Sequence, residues 1–217
     1  MRVLVACECS QNVCKAFRDR SIEAFSCDIQ DCYGGYPQWH IKCNVEDVLF
    51  DKWDLVIAHP PCTYLSRVQA NRIFKRLPDG SSVVRDYSRL YKGLKASLFF
   101  RRFFDAPAPF LCVENPLMLS CWGIRRPDCI IQPYEFGHPF SKSTCLWLRN
   151  LPPLMPTDLY SRSCVRGWVN SVPGFSSNTK FKQSRLRSET FPGIARAIAV
   201  QYGDYVLSNL HKFRSEV

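Results

Sequence analysis

The residue types that could do chemistry cluster at the ends of short apolar runs. Cys62 lies in Trp53 to Ser66 (WDLVIAHPPCTYLS), where DLVIA reads as a strand ended by Pro60-Pro61, which cannot donate to a ladder. A lone cysteine is more often a small buried hydrophobe than a nucleophile. A strand, then two stiffening prolines, then the thiol is instead the layout of a catalytic loop. Phe110 to Glu114 (FLCVE) reads as another strand, stopped by Pro116, with Glu114-Asn115 at its tip. Arg2 to Ala6 (RVLVA) runs into a third polar loop, Cys7 to Gln11. If these strands are neighbours, their loops form one cleft holding a thiol and carboxylates, the groups of nucleophilic and acid-base catalysis. Asp28 ends a further strand, Ala24 to Asp28, about twenty residues after the first loop, where an acid grips a ribose hydroxyl of a nucleoside cofactor. Taken singly, such an acid is more often a helix cap.

The elements that must position these groups follow from periodicity. Asn12 to Arg20 carries Val13, Ala16 and Phe17 at helical spacing, and the glycine-rich CYGGYP after Asp28 is a loop. Arg85 to Phe104 reads as a helix with Leu90, Leu94, Leu98 and Arg101 along one side. Ile130 to Tyr134 and Cys145 to Leu148 read as strands, and Pro192 to Leu207 as a closing helix. Short strands alternating with helices indicate an α/β fold, a doubly wound, mostly parallel, Rossmann-like sheet, whose ligands sit beyond the carboxyl ends of the strands. One domain over 1–217 is expected, with a loop-rich excursion at 149–182.

Composition narrows the partners. The 217 residues are 46% apolar and 22% charged, with a mean hydropathy of -0.18, the profile of a soluble globular domain. No stretch approaches the eighteen or so apolar residues of a membrane span, and no basic region precedes a hydrophobic one at the start. Twelve cysteines without an export signal read as reduced thiols in the cytoplasm. The sequence has no CxxC pair, so no metal is expected. The 29 basic against 19 acidic residues leave +10, which favours a polyanionic partner. Arg72 to Arg102 holds nine of the basic residues and two acids. A basic enzyme without such a partner is the bland alternative.

WDLVIAHPPCTYLS resembles the catalytic loop of the DNA cytosine-C5 methyltransferases, and FLCVENP is similar to that family's second catalytic strand, which ends in Glu-Asn. Tyr134 to Leu148 (YEFGHPFSKSTCLWL) resembles the later strand pair with its Phe-Gly-x-Pro turn, and Phe191 to Tyr202 the C-terminal segment that packs beside the cofactor. The pieces occur in the family's order over most of the chain, which looks closest to short single-domain relatives from bacteriophage genomes. The resemblance implies a methyltransferase fold, S-adenosylmethionine as cofactor, DNA as partner, Cys62 as nucleophile and Glu114 as the group holding the base. It implies cofactor contacts at Cys7, Glu8, Ser10, Asp28, Ile29, Asn44 and Pro60.

Departures from the family pattern bear on each part of the site. The first loop lacks the family's Phe-x-Gly-x-Gly, and Asn44 stands where an acid binds the adenine amine. Where the family has Gln-x-Arg-x-Arg, the chain has Phe140 to Thr144, in which only Lys142 supplies a charge, so the resemblance implies Lys142 as a third catalytic residue. The Gln-Ser-Arg-Leu-Arg run at 183–187 spells that pattern downstream, and the recognition region, expected at 149–182, is short. The rival readings are an amino-methyltransferase, a non-catalytic relative that binds nucleic acid or a host protein, and a modifying enzyme for free nucleotides.

Overall fold

Strands that are apolar at every position are covered on both faces, and the centre of the sheet is built that way. In the computed structural model, which describes residues 1–168 and 188–214, β1 (Arg2–Ala6), β4 (Leu55–Ala58) and β7 (Phe110–Pro116) lie side by side. Val3 to Ala6, Leu55 to Ala58 and Phe110 to Val113 have no exposed surface. Beyond β1 come β2 (Glu23–Asp28) and β3 (His40–Lys42); beyond β7 come β10 (Thr144–Arg149) and β8 (Cys129–Ile131). The order is β3-β2-β1-β4-β7-β10-β8, parallel from β3 to β7, with β10 antiparallel to both neighbours. The fold is thus the expected doubly wound, mostly parallel α/β sheet.

The period-two alternation of each strand sorts its side chains into two cores. Val3, Val5, Leu55, Ile57, Phe110 and Cys112 face α1 (Asn12–Arg18) and the closing helix α4 (Pro192–Arg214), which supply Val13, Phe17, Ile194, Ile198 and Tyr202. Leu4, Ala6, Val56, Ala58, Leu111 and Val113 face the other way, onto Phe100 of α3 (Tyr87–Arg102), Phe103, Trp122 and Trp147. The helical layer over this second face carries the Cys62 loop.

Several elements differ from expectation. The side of α3 read as apolar faces outward: Leu94 is 47% and Leu98 65% exposed, while Gly93, Ser97 and Phe100 face the core. The reason is close packing, because a Cβ on Gly93 would sit 2.1 Å from the Trp122 ring. Small residues let the helix approach, so they define its inner side. The strand expected at Ile130 to Tyr134 is instead β8, ending at Ile131, because Pro133 opens a 3₁₀ turn closed by Glu135. The edge strand β3 and the hairpin of β5 (Phe74–Arg76) and β6 (Ser82–Val84) went unread, as did the short pair β9 (Phe140–Ser141) and β11 (Arg166–Gly167). The excursion expected at 149–182 is described only to residue 168. The 183–187 run lies outside the described residues. Among the described residues no helix is long and apolar enough to cross a membrane.

Candidate active site

Because β1, β4 and β7 are adjacent, the three polar strand ends meet at the switch point of the sheet, between β1 and β4. The loop after β4 is pinned to both neighbours. The His59 amide donates to the Ala6 carbonyl at 2.9 Å, and the buried Asn115 side chain donates from Nδ2 to the Pro60 carbonyl at 2.6 Å. The Cys62 carbonyl accepts from the amides of Leu65 and Ser66, both at 3.1 Å, which closes the turn behind the thiol. Leu65 is buried, and its carbonyl accepts from Trp122 Nε1 at 3.0 Å, which ties the loop to the segment under α3. Stiffness here comes from these ties as much as from the two prolines.

Four ionisable groups converge at the loop. His59 Nδ1 lies 3.2 Å from Glu114 Oε2, with side-chain exposures of 8% and 17%. Burial would raise the Glu114 carboxyl, but the hydrogen bond and charge of His59, aided by Lys142, outweigh it and hold the group below the usual range. The half-buried Cys62 thiol is pushed up, by burial first and then by the Glu114 charge, against the pull of Lys142. Lys142, itself expected to be catalytic, therefore acts on both Cys62 and Glu114. Its backbone amide donates to Gln132 Oε1 at 3.0 Å, and its Nζ lies 5.9 Å from the Phe191 ring centroid. The structure brings Cys62, Glu114 and Lys142 together.

The expected cofactor contacts divide into two groups. Glu8 is buried and its carboxylate is committed: Oε1 accepts from Val13 N at 2.7 Å and Ser10 Oγ at 3.2 Å, Oε2 from Cys14 N at 3.2 Å. It fills the start of α1. Burial raises its carboxyl, opposed by the charge of His59 and by those donors. Asp28 and Ile29 fit a nucleoside better. Asp28 is half-buried and gives one oxygen to the Gln30 amide at 2.9 Å, while Ile29 is 71% exposed, an acid and an apolar surface in succession. Cys7 lies near enough that, after burial, the Asp28 charge helps push its thiol up. Asn44 is exposed, and its Oδ1 accepts from the Glu46 amide at 3.2 Å. Pro60 is buried beneath the loop.

The glycine-poor first loop turns without glycine. Cys7 and Gln11 hold φ values of 59° and 61°, a left-handed conformation that costs a side-chain-bearing residue about 1 kcal/mol or more. Gln11 recovers part of this, donating to the Tyr36 carbonyl at 2.8 Å and accepting from the Tyr36 amide at 3.1 Å. The CYGGYP segment thus folds over the loop, and a Cβ on Gly34 would sit 2.4 Å from the Ser10 carbonyl. The missing glycines of the loop are matched by one in the segment that covers it.

Asn115 as a clamp and His59 as the neighbour of Glu114 are site residues that the sequence pattern alone does not single out. His59 does hydrogen-bond, and its partner is Glu114. No spacing rule points to that pair, 55 residues apart. The twelve cysteines are all free.

No family model matches the chain, and no curated protein matches it. Among solved structures, the Dnmt2 methyltransferase of S. pombe is 15% identical over 88% of this chain and 56% of its own, with a TM-score of 0.34. A DNMT2 mutant from Spodoptera frugiperda is 13% identical over 80% of this chain and 55% of its own, with a TM-score of 0.37. The chain spans about half the length of these structures.

Proposed function

We propose that the chain is an S-adenosylmethionine-dependent methyltransferase acting on carbon 5 of cytosine in DNA. The carrying observation is the Cys62 loop clamped beside Glu114, with Lys142 acting on both, at three adjacent strand ends. Asp28 and Ile29 would hold the nucleoside of the cofactor, which supplies a methyl group on a sulfonium.

Carbon 5 of cytosine is too weak a nucleophile to take that methyl group unaided. The Cys62 thiolate adds to carbon 6, and the displaced electron pair makes carbon 5 nucleophilic. Glu114 holds N3 and the exocyclic amine and passes a proton to N3 as charge develops. His59 Nδ1 lies within hydrogen-bond reach of Glu114 and would relay that proton. After transfer, loss of the carbon 5 proton to a base reforms the ring double bond and expels the thiolate. The base must leave its stack to reach this site.

A second reading, a non-catalytic relative that binds nucleic acid, is favoured by two observations. Glu8 occupies the start of α1, and the thiol is pushed toward its protonated form. Trapping separates the two. DNA containing 5-fluorocytosine blocks the final elimination, so with cofactor the wild type should form a denaturant-stable adduct that Cys62→Ser abolishes. Methyl transfer surviving Cys62→Ser would promote amino-methylation, and no transfer by wild type on single- or double-stranded DNA would promote the non-catalytic reading.

A further inference from the structure

Between α2 (Ala70–Ile73) and the start of α3, an open cavity of about 560 Å³ is lined by Arg72, Arg85, Asp86, Tyr87 and Arg89. Its guanidinia come from three places: Arg72 from α2, Arg85 from the link after β6, and Arg89 from the first turn of α3. The one carboxylate among the described lining residues, Asp86, is already engaged. Asp86 Oδ1 accepts from the Arg89 amide at 2.9 Å as the helix cap, and Oδ2 lies 3.5 Å from Arg89 Nε. Arg85 donates to the Asn71 carbonyl at 3.3 Å, and Arg72 and Arg85 are both exposed. Asp86 offsets the charge of Arg89, which leaves the guanidinia of Arg72 and Arg85 uncompensated in the lining, and an anion relieves their repulsion. Guanidinium forks match phosphate oxygens in pairs.

Two further features point to a nucleotide rather than a bare anion. Tyr87 is 75% exposed at the rim, and an aromatic face beside arginines is how proteins hold a base next to its phosphate. The cavity also shares a surface with the reactive loop. Arg89 Nη1 donates to Gln69 Oε1 at 3.3 Å, three residues beyond Ser66, and Lys92, the next turn of α3, lies 5.8 Å from the centroid of Tyr64, two residues beyond Cys62.

We infer that this cavity is a nucleotide-phosphate site, in which Arg72, Arg85 and Arg89 hold one phosphate and Tyr87 stacks on its base. The choice of nucleotide rests on the function proposed above, but the site is read by binding alone. The experiment is fluorescence polarisation of a labelled single-stranded cytosine-containing oligonucleotide, competed by dCMP or inorganic phosphate. Arg72→Gln and Arg85→Gln should each weaken binding roughly fivefold or more and flatten the log-log salt slope by about 0.7 to 0.9 per lost contact. Arg126→Gln removes the same charge outside the cavity and should change binding less than twofold. Tyr87→Ala should weaken the oligonucleotide and leave competition by inorganic phosphate unchanged. Displacement by dCMP at low concentration would identify a free nucleotide as the source of the phosphate, and displacement by strand alone would identify nucleic acid; either supports the site. Equal losses for Arg126→Gln and Arg72→Gln, or none for an Arg72→Gln, Arg85→Gln double variant, would overturn it. Binding is read without cofactor or methyl transfer, so failure of methyl transfer leaves this result standing.

Discussion

Nδ1 of His59 and Oε2 of Glu114 face each other at 3.2 Å across the tips of β4 and β7. On the β1 side of the crevice stands Glu8, which His59 also influences electrostatically. The two glutamates shift in opposite directions, Glu8 up and Glu114 down. The difference lies in their partners: burial dominates at Glu8, whereas the hydrogen bond and charge of His59 outweigh it at Glu114.

The Glu114 shift has a signature in acid. Its folded carboxyl binds its proton less readily than the unfolded one, so the unfolded chain takes up more protons, and stability falls as pH drops. This contribution is complete above about pH 4.3 and is lost through the lower folded value. Denaturant unfolding between pH 3 and 5 should therefore show a shallower pH slope for Glu114→Gln and for His59→Phe than for wild type. An unchanged slope in both would mean that the pair is not formed in solution.

The Cys62 thiol should be slow to alkylate at neutral pH. Its folded value lies above the ordinary cysteine range of about 8.5, so the labelling rate, read by mass spectrometry of its peptide, should still be climbing beyond pH 9. Lys142→Gln removes a charge that opposes the shift and should move the profile further alkaline. A rate that levels off near pH 7 would contradict this arrangement.

Gly93→Ala should destabilise despite its gain of about 1 kcal/mol in helix propensity. The added Cβ meets Trp122 at 2.1 Å, and overpacking of this kind costs about 1 to 3 kcal/mol. Since Trp122 also holds the Leu65 carbonyl, the strain passes to the Cys62 loop. Thermal unfolding should show a lower midpoint and the Cys62 labelling rate should change; a raised midpoint would refute the contact.

Cofactor binding should separate Asp28 from Glu8. In calorimetric titration with S-adenosylhomocysteine, Asp28→Ala should weaken binding about ten- to hundredfold, the scale of a lost charged hydrogen bond of about 1.5 to 3 kcal/mol, with little change in stability. Glu8→Ala should lose stability instead, because it orphans the Val13 and Cys14 amides. Equal affinity in Asp28→Ala and wild type would remove Asp28 from the cofactor site.

Local sequence determined the strands and which of their ends are polar. Runs such as RVLVA, DLVIA and FLCVE have one stable use in a folded chain, a strand buried on both faces, and Pro60-Pro61 shows where one of them must stop. That Asp28 ends a strand and Cys62 follows two prolines needed nothing further. Tertiary structure decided what meets across those ends. Strand order put β4 between β1 and β7, and only then could His59 pair with Glu114, Asn115 clamp Pro60, and Lys142 act on both catalytic candidates. It also turned α3, because the side of a helix that goes inward is set by where a neighbour can approach, and Gly93 admits Trp122 where Leu94 and Leu98 do not. Periodicity records which residues share a face, whereas burial of that face depends on a partner far away in the chain.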